Sequence, residues 1–205
     1  MRKLLSTLCM LTILSPLYAV DTKSVKPTTV ETKTIKPTPV SYPIMSLKDI
    51  HGKTYKIRGT EEGLKIQGLQ NKVVFLEFFG HQCPPCLASI PHLINLQKKY
   101  KDKLTIIAIE VQGLNTQQVA RFAKSKGMNY IVASDETASA LIQYIQQRAQ
   151  WRGSIPFLVA LDTQGNVQFV QAGMLPESSL ESLIHQLSEK PKIKENTQKG
   201  IIKTH

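Results

Sequence analysis

Phe75-Leu-Glu-Phe-Phe-Gly-His-Gln-Cys-Pro-Pro-Cys86 carries a hydrophobic strand through a short turn into two cysteines spaced Cys83-x-x-Cys86. The β-branched and aromatic run from Val73 to Phe79 predicts a buried strand. Leu87 to Tyr100, with Ile90, Leu93, Ile94 and Leu96 on one side, predicts a helix. Cys83 then falls at or just before a helix N-terminus. There the dipole's partial positive charge and unpaired backbone N–H groups favour a thiolate over a thiol, which makes Cys83 the candidate nucleophile. Cys86, one turn on and partly covered, is the candidate resolving thiol. For a two-electron couple about 30 mV corresponds to about 1.4 kcal/mol, so a single hydrogen bond to a sulfur moves such an equilibrium about tenfold. Two plainer readings compete. A structural zinc site needs four ligands, and the sequence offers only His81 and His92 near the pair. A purely structural disulfide is the other, although the strand-to-helix setting suits a redox pair better.

The 205 residues, 41% hydrophobic and 20% charged, fit one globular domain with tails. Residues 1–19 have a basic start, a short apolar run and a terminal Ala19, and read as a secretory signal. Leu17 suits a cleavage site poorly, so an uncleaved anchor that tethers the domain to a membrane is the alternative. Cys9 follows Leu8 within the apolar run, which argues against a lipoprotein anchor. Loss of the signal leaves the pair as the only cysteines, in an exported and hence oxidising setting. The formal charge of +11 is concentrated in the ends of the chain. With no aromatic interleaving and no nucleic-acid motif it signals solvation, not nucleic-acid binding.

Residues 20–41 hold two imperfect copies of a Lys/Pro/Thr-rich unit, too few and too polar for a solenoid, and read as an extended linker. Ile44 to Ile57 alternates apolar and polar residues about His51-Gly52, which predicts a hairpin. Gly59 to Asn71 is expected to be a connection containing a short helix. After the central strand and helix, Leu104 to Val111 predicts a second, parallel strand covered on both faces. A helix over Thr116 to Lys126 stops at Gly127, a short strand covers Asn129 to Ala133, and a helix follows over Thr137 to Gln147. Phe157 to Leu161 and Val167 to Gln171 form an antiparallel pair about Asp162-Thr-Gln-Gly165, and Leu180, Leu183, Ile184 and Leu187 mark a last helix. Residues 189–205 read as a basic disordered tail. The fold class is α/β, a three-layer sandwich with a mixed central sheet and an N-terminal hairpin.

Over residues 42–188 this chain resembles the thioredoxin fold and, within it, the exported TlpA/ResA/CcmG-like thiol:disulfide oxidoreductases. The resemblance rests on Leu47-Lys-Asp-Ile-His-Gly-Lys53, Glu77-Phe-Phe before Cys83-Pro-Pro-Cys86, Pro91, Gly153-Ser-Ile-Pro-Phe157, Asp162-Thr-Gln-Gly165, Gly173, and the extra strand and helix between Asn129 and Gln147. It implies that Cys83 attacks a substrate disulfide and that Cys86 resolves the mixed disulfide. Pro156 would be the cis-proline facing the pair, turning the Ile155 backbone toward an extended substrate segment. The plain alternative is a trans proline at the start of an edge strand. Glu77, six residues before Cys83, stands where thioredoxin carries a buried acid that takes the resolving thiol's proton. Burial raises a carboxyl's pKa and suits it to act as a base near neutral pH. Otherwise Glu77 caps a strand end and packs.

Two positions depart from the family pattern: Gln82 replaces the Trp usual before the first cysteine, and Ser89 replaces the acid that ResA-like proteins place three after the second. His81, Pro84 and Pro85 are candidate modulators, His81 as an imidazolium beside the Cys83 thiolate or as a solvated loop residue. Trp151 either flanks a substrate groove or packs in the core. The resemblance implies reduction of disulfides in exported proteins, in the manner of cytochrome c maturation, with no cofactor beyond the Cys83–Cys86 disulfide. It also implies a periplasmic location, with electrons from a membrane thiol donor of the DsbD/CcdA type. A DsbA-like oxidase or isomerase, a Cu(I)-binding metallochaperone using Cys83, Cys86 and His81, and a non-enzymatic interaction module are the alternatives.

Overall fold

The computed structural model describes residues 41–189; the expected signal, nearly all of the linker and nearly all of the basic tail lie outside them. Twelve elements follow in order: β1 (Ile44–Lys48), β2 (Thr54–Gly59), β3 (Leu64–Ile66), β4 (Val73–Phe79), α1 (Pro84–Lys99), β5 (Leu104–Glu110), α2 (Thr116–Lys126), β6 (Ile131–Ser134), α3 (Asp135–Arg148), β7 (Phe157–Leu161), β8 (Val167–Ala172) and α4 (Glu177–Ser188). Five strands form the central sheet in the order β6-β5-β4-β7-β8, and β1-β2-β3 form a small antiparallel sheet of their own. β4 pairs parallel with β5 and antiparallel with β7, so the central sheet is mixed, as the sequence predicts. The short helix expected between Gly59 and Asn71 is absent. β3 occupies that stretch, because Leu64 and Ile66 alternate with Lys65 at a strand's period and bury against the core.

β4 lies at the centre, and all seven of its residues are buried. Its alternation sends Val74, Leu76 and Phe78 to one side, into a cluster with Leu47, Tyr55 and Ile57 from the small sheet and Leu141 and Ile145 from α3. Val73, Phe75 and Phe79 point to the other side, against Leu93 and Leu96 of α1, Val119 and Ala123 of α2, and Leu180 and Ile184 of α4. Each such side chain withdrawn from water contributes about 1.5–3 kcal/mol, which explains a strand that is apolar on both faces. Glu77 continues the odd-numbered series, so the strand's period points its carboxyl toward the α1 layer.

α2 begins with a capping box, in which Asn115 Oδ1 accepts from Gln118 N and Gln118 Oε1 accepts from Asn115 N, both at 2.9 Å. Gly127 ends it at φ 67°. The small sheet is joined to the β7–β8 turn through the backbone, where Leu64 N donates to Gly165 O at 2.8 Å and Val167 N to Glu62 O at 2.8 Å, and through Lys65 Nζ, which donates to Gln164 O. Gly165 has φ 82°, and a Cβ there would lie 2.2 Å from Leu64 O. Gly165→Ala is therefore expected to destabilise the domain by roughly 2 kcal/mol or more, through both the left-handed backbone and the backbone clash. Denaturant unfolding checks this, and a midpoint within error of the parent would refute it.

Candidate active site

Cys83 is the N-cap of α1, with φ −104° and ψ 103°. Pro84 and Pro85 take the first helical positions, where a fixed φ suits the helix and a missing N–H costs little. They also remove two of the amides that the sequence reading placed around the sulfur. One direct donor remains: Cys86 N–H points at Cys83 Sγ at 3.3 Å. The helix start thus offers Cys83 its dipole and a single amide, less than a helix opened by ordinary residues would provide. Cys83 and Cys86 form a disulfide with Cα atoms 5.2 Å apart, Cys83 6% exposed and Cys86 fully buried.

Glu77 sits in mid-strand, not at a strand end, between Ala108 of β5 and Leu158 of β7. It is 5% exposed, and Ser89 Oγ lies 3.1 Å from its Oε1. The same hydroxyl lies 2.8 Å from the carbonyl oxygen of Cys86, so Ser89 links the carboxyl to the backbone of the second cysteine. Burial pushes the Glu77 carboxyl up to about 7, outweighing the Ser89 hydrogen bond that pulls the other way. Tyr130, just ahead of β6, has a buried hydroxyl without a hydrogen-bond partner among the described residues. Burial first, and the charge of Glu77 second, push its ionisation up.

The Ile155–Pro156 bond is cis, as the resemblance implies. Ile155 packs against the apolar cluster that contains both cysteines, and Gly173 N donates to Pro156 O at 2.8 Å. Pro156 also lines a cavity of about 20 Å³ with Glu77, Ser89, Leu93, Leu158 and Leu175. That is room for about one water. Glu77 and Pro156, 79 positions apart in the chain, thus meet at one space. Trp151 packs in the core: its ring stacks on Phe157 at 5.0 Å and its Nε1 donates to Ser154 O at 2.7 Å, which braces the loop before Pro156.

His81 is neither a fully solvated loop residue nor directed at the sulfurs through Nδ1, which lies 2.9 Å from Glu110 Oε1. Glu110 is fully buried at the end of β5, beside Phe79 in the parallel register. The sequence reading passed over it, since an acid ending an apolar strand looks like any strand terminus. Its partners come from the next loop and from the turn before Cys83, which only the strand pairing brings together. Among the described residues no three of His, Cys, Asp and Glu converge to hold a metal.

A family model for redoxin matches residues 48–184. The chain belongs to the redoxin family. It is 29% identical over 139 residues to the thiol-disulfide oxidoreductase ResA of Bacillus subtilis (67% of this chain, 69% of that protein). It is 24% identical over 127 residues to ResA of Halalkalibacterium halodurans (60% of this chain, 66% of that protein). A solved thiol:disulfide interchange protein of the thioredoxin family from Chlorobium tepidum superposes with a TM-score of 0.58 at 24% identity, covering 75% of this chain and 99% of that one. The fold is therefore thioredoxin-like, and the chain is a thiol:disulfide oxidoreductase.

Because the Glu77 carboxyl is held up to about 7 in the fold against 4.5 ordinarily, it favours folding below about 4.5 and opposes it as pH rises through 7. Glu77→Gln removes that dependence. The variant is expected to be more stable than the parent at pH 8, by up to about 3 kcal/mol, and no more stable at pH 4. Unfolding curves of the oxidised proteins at the two pH values check this; an equal difference at both would show that the carboxyl does not titrate as described.

Proposed function

We propose that this redoxin works outside the cytoplasm as a reductant of disulfides in exported proteins, with Cys83 as attacking thiolate, Cys86 as resolving thiol and Glu77 as the base for Cys86. The observation that carries the reading is the Ser89 bridge, which sets a buried carboxyl with a raised pKa beside the helix turn that bears Cys86. A base poised near neutral pH is what a resolving thiol needs. Ile155 packs against the apolar cluster that holds both cysteines, which supports a substrate-facing role for its backbone, one that an extended peptide segment can meet by strand-like pairing. No cofactor beyond the cysteine pair enters the scheme, and a membrane thiol donor would return the electrons. No helix among the described residues is long and apolar enough to cross a membrane. In this reading the apolar run of residues 1–19 would serve as a tether.

Cys83 thiolate attacks one substrate sulfur, forms the mixed disulfide and releases the other substrate sulfur as a thiolate. Cys86 then gives its proton to Glu77, and its sulfur displaces the substrate from Cys83, closing the Cys83–Cys86 bond. Two electrons pass to the substrate, and its two thiolates take up the proton held by Glu77 and the one that Cys83 released on ionising, so that it leaves as two thiols.

In an insulin-reduction assay with a thiol donor, Cys83→Ala is expected to abolish activity. Glu77→Gln is expected to slow turnover at pH 7 by a factor of about ten to a hundred, with Cys83 alkylation in the reduced protein little changed. Activity surviving in Cys83→Ala would overturn the mechanism. A midpoint potential near the thioredoxin value of about −270 mV fits a reductant, whereas one near about −120 mV would assign the protein to disulfide formation instead.

A further inference from the structure

The three residues immediately before Cys83 are each held by the end of β5 or the loop that follows it. Gly80 packs under the Gln112 side chain, where a Cβ on residue 80 would come within 2.2 Å of Gln112 Cδ. Gln82 N donates to Gln112 Oε1 at 2.8 Å. His81 uses both its backbone N and its ring Nδ1 on Glu110 Oε1, at 3.4 and 2.9 Å. Glu110 is fully buried, and its other donors are the backbone N–H groups of Gln112 and Leu114, each at 3.0 Å. Among the described residues His81 is its one ion-pair partner.

The contact with Glu110 occupies Nδ1 of the imidazole and orients the ring, and Nε2 takes no part in that contact. The His81 side chain is 20% exposed, so that second nitrogen belongs to a ring at the protein surface. Cys83 N donates to Gly80 O at 3.3 Å, closing a turn over residues 80–83 that holds His81 and Cys83 in one short bend. Ser89 joins Glu77 to the backbone of Cys86.

Building on the reading of Cys83 as the attacking sulfur, we propose that each sulfur has its own acid–base device: Glu77 for Cys86, and His81 for Cys83, with Glu110 the positioning residue that holds the imidazole. The Cys83 thiol passes its proton to His81 Nε2, and the imidazolium stands beside the resulting thiolate. When that thiolate attacks, the departing substrate sulfur takes the same proton. Cys86 loses its proton to Glu77 and closes the disulfide, and the second substrate thiolate is protonated from Glu77 through solvent. Electrons and protons balance as in the scheme above.

The test is the rate at which iodoacetamide alkylates Cys83 in the reduced protein at pH 7, with the label located by mass spectrometry. Glu110→Gln keeps a hydrogen-bond acceptor for the ring but removes the charge. Glu110→Gln and His81→Asn are each expected to slow alkylation at least fivefold, and the double variant to be no slower than the slower single. The equilibrium with glutathione is expected to shift toward a more reducing protein. Gln112→Ala loosens the same turn without altering charge and is expected to react clearly faster than Glu110→Gln. A parental rate in His81→Asn overturns the proposal and serves alone if Glu110→Gln does not fold. So does a Gln112→Ala rate as slow as that of Glu110→Gln, which would make the role a purely mechanical hold on the turn. Labelling of Cys86 before Cys83 in the parent protein would instead remove the underlying assignment of the nucleophile.

Discussion

A carboxyl group sits in the middle of a strand that has no exposed residue, and much of the site follows from that placement. β4 stabilises the domain by packing apolar side chains on both faces, and Glu77 interrupts one of those faces. An ionised carboxylate in such surroundings is costly unless paired, and the structure gives Glu77 only a neutral hydroxyl. The group therefore remains protonated to higher pH than an exposed acid. A fold that retains this cost keeps a carboxyl with a raised pKa one side chain away from the turn that carries Cys86.

The helix start illustrates how small changes in backbone chemistry redistribute the work of a redox site. Prolines at the first two positions of α1 pre-set its direction but withdraw two N–H groups from the neighbourhood of Cys83. What the sulfur loses in amide donors has to be supplied by the helix dipole, the Cys86 amide and whatever charge lies across the preceding turn. That turn is fastened to the loop after β5 through Glu110 and Gln112, and the fastening brings a histidine with it. Ser89, a neutral residue, connects Glu77 to Cys86 without adding a second charge to the buried side.

The site is assembled from four pieces of chain: mid-β4, the first turns of α1, the end of β5 with its loop, and the segment around the cis Ile155–Pro156 bond. Parallel pairing of β4 with β5 places Glu110 beside Phe79, hence beside the turn that leads to Cys83. Antiparallel pairing of β4 with β7 places Leu158 beside Glu77, which brings Pro156 to the same small cavity as the carboxyl. Trp151, packed on Phe78 and Phe157, anchors the loop in between.

The order of elements, the two-faced burial of β4 and β5, the hairpin about His51-Gly52 and the Gly127 helix stop were legible in the sequence, because each is written in local periodicity and turn chemistry. β3 was missed because three residues are too short a run to show a period. Glu110 and Gln112 were missed for a different reason: their partners lie about thirty residues away, and strand register alone decides that they meet. The sequence by itself determined that two cysteines would open a helix beneath an apolar strand. Only the tertiary structure decided which acid faces which part of the site, because that depends on pairing between strands, and pairing has no local signature.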